Sequence, residues 1–68
     1  MPAWCVYILD RGDRYYTGIT TDLPHRLHQH GGATLRYTET FPGKGEAVRR
    51  EKEIKGWSRV KKERLWTR

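Results

Sequence analysis

The sequence predicts an α+β fold in which helices pack on a three-stranded antiparallel sheet, in the order β-β-α-β-α-α. Two runs rich in β-branched and aromatic residues surround a polar turn near the start of the chain, which is typical of a β-hairpin. A third alternating run lies between segments with helical periodicity. With 68 residues, the chain has room for one domain, which we predict to span 1–68.

The predicted hairpin consists of residues 3–9 and 14–19, joined by the polar segment 10–13. Asp and Gly in that segment supply the turn. Alternate residues of a strand point to opposite faces of the sheet. One face of the first strand then carries Trp4, Val6 and Ile8, and the other carries Cys5, Tyr7 and Leu9. If Tyr7 and Tyr16 share a face, two phenols project from neighbouring strands at one place.

A short helix is predicted over residues 23–30. Thr21 or Asp22 can cap its first turn, and the Gly31-Gly32 pair ends it. Leu23 and Leu27, four residues apart, are expected to dock on the sheet. Arg26 and His30 have the same spacing and should be neighbours on one helix face.

The remaining elements follow from the alternation and punctuation of residues 34–66. Residues 34–41 predict the third strand, and the Pro-Gly-rich segment 42–45 breaks it. A longer helix is predicted from Glu46 to Trp57. Ser58 is expected to cap a last helix that runs from Arg59 to Trp66.

Charge is distributed unevenly along the chain. Residues 1–43 are neutral in sum, so residues 44–68 carry the whole net charge of +6. A basic excess of this kind favours a phosphate-rich partner such as nucleic acid, and the alternative is an ordinary solvated face. The single Cys5 lies in a strand pattern and predicts a buried thiol. No run resembles a signal peptide or a membrane span, so we expect a cytoplasmic protein with no membrane partner.

Glu51 is the most informative single residue, because it interrupts an apolar stripe. Ala47, Glu51 and Ile54 fall on one face of the predicted helix, so the carboxylate should face the sheet. A carboxylate there needs compensation. Possible partners are a metal ion, a hydrogen-bond network, or an ion pair with Arg14, Arg26 or Arg50. Tyr7 and Tyr16 likewise have two interpretations, as site residues or as core aromatics.

These residues resemble a known family. Cys5-Val6-Tyr7, then Tyr16-Thr17-Gly18 nine residues later, then Arg26 on the next helix, is similar to the GIY-YIG nuclease domain. The stretches 16–23 and 49–55, with Trp57-Ser58-Arg59, are closely similar to small stand-alone bacterial GIY-YIG proteins. The resemblance covers residues 4 to about 65. Two departures stand out: the connection before the third strand is shorter than in such relatives, and the chain contains no Asn.

The resemblance implies a three-stranded antiparallel sheet and an endonuclease that hydrolyses phosphodiester bonds with Mg²⁺ or Mn²⁺, on DNA in preference to RNA. By position, Glu51 matches the metal-binding glutamate, and Arg26 the arginine on the scissile phosphate. Tyr7 and Tyr16 match the motif tyrosines, and His30 resembles a histidine found in part of the family. In the expected mechanism Tyr7 accepts a proton from water after Arg26, the metal and Lys55 have lowered its pKa.

Two other functions are compatible with the same sequence. The first is a non-catalytic nucleic-acid-binding module whose basic C-terminal helices contact phosphates. The candidate contacts for either function are Arg49, Arg50, Lys52, Lys55, Arg59 and Lys62. In that module Trp57 or Trp66 would stack on a base. The second is a protein-interaction adaptor, for which Trp57 and Trp66 would have to be exposed.

Overall fold

The computed structural model describes residues 3–67 and has the predicted order of elements. Its strands are β1 (Trp4–Asp10), β2 (Tyr15–Thr20) and β3 (Thr34–Phe41), and its helices are α1 (Leu23–His30), α2 (Lys44–Lys55) and α3 (Arg59–Glu63). The sheet is antiparallel with the order β2-β1-β3, which confirms the α+β class. Met1, Pro2 and Arg68 of the predicted domain lie outside the described residues. Among the helices within residues 3–67, none has the length and apolar character needed to cross a membrane.

The central strand β1 is buried on both faces, and this explains its nearly continuous apolar sequence. All five residues from Cys5 to Leu9 are buried. On one face Val6 and Ile8 form a core with Ala47 and Ile54 of α2. The predicted alternation along β1 is therefore confirmed. Cys5 is the buried free thiol that was expected, and burial raises its pKa.

Three helix boundaries, in α2 and α3, differ from prediction. Helix α2 begins at Lys44 instead of Glu46, because Gly43 takes the N-cap position. Gly45 is tolerated in the first turn, where the backbone N–H groups have no partner within the helix. It ends at Lys55, two residues before the predicted Trp57. Helix α3 ends at Glu63 instead of Trp66, since the next amides bond to carbonyls three residues back, as in a tight 3₁₀ turn.

Tyr15 anchors α3 to the sheet. Its hydroxyl donates a hydrogen bond to Glu63 Oε2 at 2.5 Å. The guanidinium of Arg59 lies 4.3 Å from the centre of the Tyr15 ring, and Trp66 meets that ring edge-on at 5.2 Å. The adjacent Tyr16 points to the opposite face of the sheet. One strand therefore holds α3 with one tyrosine and presents the other on its far side.

A partly buried ion-pair network joins β3 to α2. Arg50 donates from Nε to Glu39 Oε1 at 2.9 Å and from Nη2 to Oε2 at 3.0 Å, and Tyr37 donates to the same carboxylate at 2.6 Å. Arg50 also pairs with Glu53 on its own helix. Two-pronged charged hydrogen bonds of this kind are among the stronger ones in proteins. They fix the helix that carries Glu51 against the sheet.

The Glu39→Gln variant is expected to lose about 1–3 kcal/mol of unfolding free energy near neutral pH, because the charged hydrogen bonds to Arg50 are lost. The Arg50 guanidinium lowers the pKa of Glu39 below its ordinary value of 4.5, and this outweighs partial burial, which raises it. Such a carboxylate stabilises the fold above its unfolded pKa, and that stabilisation disappears as pH falls through the folded pKa. The difference between wild type and variant should therefore shrink below pH 4.5.

Denaturant titrations between neutral and acidic pH measure this difference. Glu53→Gln is the matched control, since it removes the more exposed partner of the same arginine. We expect it to change the free energy of unfolding by less than about 0.5 kcal/mol. Equal losses in the two variants would contradict the assignment of the network to Glu39.

Candidate active site

The floor of the candidate site is formed by Tyr7 on β1 and Gly18 on β2. These residues are directly opposite in the antiparallel register, and Tyr7 is only 1% exposed. The phenol lies so close over Gly18 that a Cβ there would sit 2.6 Å from the Tyr7 hydroxyl oxygen. A glycine is therefore required at this point of the strand by close approach of the ring.

The accessible part of the site is formed by Tyr16 and His30. Tyr16 lies on the same face of the sheet as Tyr7, with their ring centres 6.2 Å apart, and it is 39% exposed. His30, the last residue of α1, has its ring centre 4.9 Å from that of Tyr16 and 6.2 Å from that of Tyr7. The structure thus brings together the two tyrosines and the histidine singled out from the sequence.

Arg26 and Glu51 contribute opposite charges to the same site. Arg26 is exposed on α1, one turn before His30. Glu51 projects from α2 with a side chain that is 17% exposed. Both charges act on the Tyr7 hydroxyl: Arg26 lowers its pKa and Glu51 raises it. Tyr16 and His30 therefore lie beside the buried Tyr7 phenol, and the charges of Arg26 and Glu51 act on it.

The ion-pair partner of Glu51 differs from those considered from the sequence. Within residues 3–67 its Oε2 lies 3.5 Å from Lys55 Nζ, and it forms no ion pair with Arg14, Arg26 or Arg50. Lys55 is 54% exposed, and a pair open to solvent contributes little. The spacing of four residues along a helix was the signal that could have identified this partner. Glu51 is consequently only weakly compensated by the protein.

The part of the expected lowering of the Tyr7 pKa that was assigned to the side chains of the protein is wrong. Burial is the largest effect and raises the pKa of the phenol above 10, and the neighbouring Tyr16 and Glu51 act in the same direction. Arg26 lowers it by a smaller amount than these effects together. Lys55, which was expected to help, pairs with Glu51 instead. The net effect of the surrounding protein is therefore to raise the pKa of Tyr7.

The residues of the site could hold a divalent metal ion only if water and substrate phosphate supplied most of its ligands. No three His, Cys, Asp or Glu side chains converge anywhere in the described segment, so a cage made entirely by the protein is absent there. Glu51 is a single, weakly paired carboxylate whose charge acts on the Tyr7 phenol. Mg²⁺ commonly binds through one or two carboxylates and keeps several waters and substrate phosphates as its other ligands. Glu51 could hold Mg²⁺ or Mn²⁺ in this way.

Half of the predicted phosphate contacts are engaged within the protein. Arg50 bonds to Glu39 and Glu53, Lys55 pairs with Glu51, and Arg59 lies over Tyr15 and pairs with Glu63. The other three predicted contacts form no ion pair with carboxylates among residues 3–67. They are Arg49, Lys52 and Lys62. Of these, Arg49 and Lys52 are exposed on α2, the helix that carries Glu51.

Trp57 and Trp66 are not fully exposed, although the adaptor alternative would require this. Both are half-buried and pack against the core. The Trp57 ring also has Arg50 at 5.1 Å and Lys61 at 4.6 Å from its centre, and Trp66 packs against Tyr15. Neither ring is a free surface for a protein partner or a nucleobase. This removes the one feature that favoured an adaptor.

Comparisons with known proteins identify close relatives. A UPF0213 protein of Halobacterium salinarum is 42% identical, over 90% of this chain and 96% of its own length. One of Natronomonas pharaonis is also 42% identical, over 88% and 86%. The solution NMR structure of a UPF0213 protein from Bacillus halodurans matches 93% of this chain and 81% of its own at a TM-score of 0.68 and 41% identity. No family model matches the chain.

This chain is shorter inside the aligned region than its relatives. The alignment to the Halobacterium salinarum protein runs over 74 positions while covering 90% of 68 residues. About 13 positions of that relative therefore have no counterpart here, since 90% of 68 is 61. In the structure, α1 and β3 are joined by residues 31–33 alone.

Proposed function

The chain belongs to the UPF0213 family, and on that premise we propose that it is a metal-dependent endonuclease of the GIY-YIG type that hydrolyses phosphodiester bonds in DNA. The observation that carries the proposal is the convergence of Tyr7, Tyr16 and His30 with Arg26 and Glu51. An ordinary small core has no need for two opposite charges and a histidine around a buried phenol. The proposed activity gives each of them a use.

Each side chain has a role that follows from its position. Hydrolysis of a phosphodiester builds up negative charge on the non-bridging oxygens and on the leaving 3′ oxygen. Arg26 is exposed and able to bind the non-bridging oxygens by charged hydrogen bonds. Tyr16 is open to solvent and can orient a phosphate oxygen or water. Tyr7 is buried and supports Tyr16 and His30 from below.

Glu51 would hold the divalent ion. When bound, Mg²⁺ or Mn²⁺ supplies positive charge to the phosphate and to the leaving oxygen. The weak pairing of Glu51 with Lys55 supports this role, because an exposed lysine is easily displaced from the carboxylate.

Incubation of supercoiled plasmid with the protein tests the proposal directly. We expect conversion to the relaxed circle with Mg²⁺ or Mn²⁺, and complete loss of cleavage with excess EDTA. Circular dichroism with EDTA should be unchanged, because no described element of the fold depends on a metal ion. Absence of nicking on duplex, single-stranded and branched DNA with either ion would refute the proposal.

A non-catalytic nucleic-acid-binding module is the second candidate. The short connection between α1 and β3 favours it, because a chain that lacks positions present in its relatives departs from the pattern of the similar nucleases. The exposed cations Arg49 and Lys52 remain available to phosphates. Salt-dependent DNA binding without cleavage in the plasmid assay would establish this alternative.

A further inference from the structure

We propose that Lys55 is an exchangeable cation, which neutralises Glu51 in the metal-free protein and becomes a phosphate-binding residue once Glu51 holds a divalent ion. The inference rests on the proposed function, which supplies both the ion and the phosphate. It gives Lys55 a part in holding the nucleic acid that only the metal-loaded site makes available. Metal binding and nucleic-acid binding then strengthen each other, as thermodynamic linkage requires.

The contact between Lys55 and Glu51 has the features of a loose ion pair. Lys55 Nζ lies 3.5 Å from Glu51 Oε2, whereas a charged hydrogen bond from nitrogen to a carboxylate is typically about 2.7–2.9 Å long. The Lys55 side chain is 54% exposed and has a flexible stem of four carbons. Little free energy is therefore needed to move the ammonium group away from the carboxylate.

The other two engaged cations among the predicted phosphate contacts are held in place. Arg50 makes two hydrogen bonds to the carboxylate of Glu39, at 2.9 and 3.0 Å, and its side chain is only 26% exposed. Arg59 lies over the Tyr15 ring, 4.3 Å from its centre. Neither arginine can leave without breaking a link between a helix and the sheet. Of the three, Lys55 is the one that can change its partner.

Lys55 also lies where a change of partner affects phosphate binding. It is one turn beyond Glu51 on the same helix, so the two side chains share one face of α2. Within residues 3–67, each is the only ion-pair partner of the other. A doubly charged ion on Glu51 replaces the attraction for the ammonium group by repulsion. The freed lysine is then available to a phosphate of the bound nucleic acid.

Metal-free binding to a DNA duplex tests the exchange, because Glu51→Gln frees Lys55 without an ion. With EDTA present, the readout is the slope of log affinity against log salt concentration. This slope becomes steeper by about 0.9 for each added contact between a cation and a phosphate. We expect Glu51→Gln to be steeper than wild type by this amount. Lys55→Gln should have the wild-type slope, and the double variant should return to it.

Lys52→Gln is the matched control, since Lys52 is an exposed lysine of the same helix with no carboxylate partner among residues 3–67. Its effect on the slope should be the same with and without Glu51→Gln. If the effect of Lys52→Gln also depended on Glu51, the carboxylate would act through general charge and not through its pair with Lys55. Circular dichroism should show that every variant is folded.

Titration with Mn²⁺ alone tests the other half of the exchange. Lys55→Gln should bind Mn²⁺ about two- to five-fold more tightly than wild type, because no ammonium group has to be displaced from the carboxylate. Electron paramagnetic resonance of the free ion measures this affinity. Lys52→Gln should leave it unchanged.

A flatter slope for Lys55→Gln than for wild type would overturn the inference, because Lys55 would then contact phosphate while still beside an unmetallated Glu51. An unchanged slope in Glu51→Gln, loss of duplex binding by that variant, or equal Mn²⁺ affinity in Lys55→Gln and wild type would overturn it as well. The plasmid assay decides the proposed function separately. An inactive wild type with the expected slopes and affinities would refute the nuclease and not the exchange.

Discussion

Replacing Glu51 by glutamine is expected to lower metal-dependent nicking by roughly a thousand-fold. A metal ion stabilises the charge of a phosphoryl transition state by several kcal/mol, and each ~1.4 kcal/mol corresponds to a factor of ten in rate. Glutamine keeps the shape of the side chain but not its charge, so the ion would no longer be held. The measurement is the initial rate of plasmid relaxation with Mg²⁺ and with Mn²⁺.

The fold of this variant should be preserved. The ion pair from Glu51 to the half-exposed Lys55 spans 3.5 Å, and exposed pairs of this spacing stabilise helices by about 0.3–0.5 kcal/mol. Glu46→Gln is the matched control, because Glu46 lies exposed in the first turn of the same helix. We expect that variant to nick at the wild-type rate. If Glu51→Gln also nicked at that rate, Glu51 would be a partner of Lys55 and nothing more.

The sequence predicts those parts of the structure that depend on the alternation of residues along a strand or on their periodicity along a helix. The alternation along residues 4–9 is correct because β1 is the central strand, and the face with Val6 and Ile8 packs against α2. The positions of Tyr7 and Tyr16 follow from that alternation and from a short hairpin, which together leave one register. Glu51 is likewise found from helical periodicity alone.

The parts that could not be predicted depend on contacts between distant residues. The pKa of Tyr7 is raised chiefly by its burial, beside Gly18, Tyr16 and His30, and no local pattern encodes burial of that kind. The last helix was predicted to continue to Trp66, whereas α3 ends at Glu63. The actual place of Trp66 is fixed by Tyr15, which is 51 positions earlier in the chain. Side chains that meet across the fold decide these features.

Gly18→Ala is expected to be the most destabilising of the small substitutions in this chain. The new methyl carbon would lie 2.6 Å from the hydroxyl oxygen of Tyr7 and 2.8 Å from its Cζ. Tyr7 is fully enclosed, so its ring cannot move aside without disturbing the packing around it. Overpacking of this kind costs about 1–3 kcal/mol, a large fraction of the ~3–5 kcal/mol expected for so small a domain. The midpoint of thermal unfolding should fall by roughly 4–8 °C per kcal/mol.

Gly45→Ala supplies a control with the opposite sign. A Cβ at Gly45 would meet nothing within 4 Å, and the residue lies inside helix α2. Alanine is favoured over glycine in helices by up to about 1 kcal/mol, so this variant should unfold at a higher temperature. Adding Tyr7→Phe to Gly18→Ala removes the closest atom and should recover part of the loss. If the double variant loses as much as the two single variants together, the close approach of Tyr7 is not what requires glycine at this position.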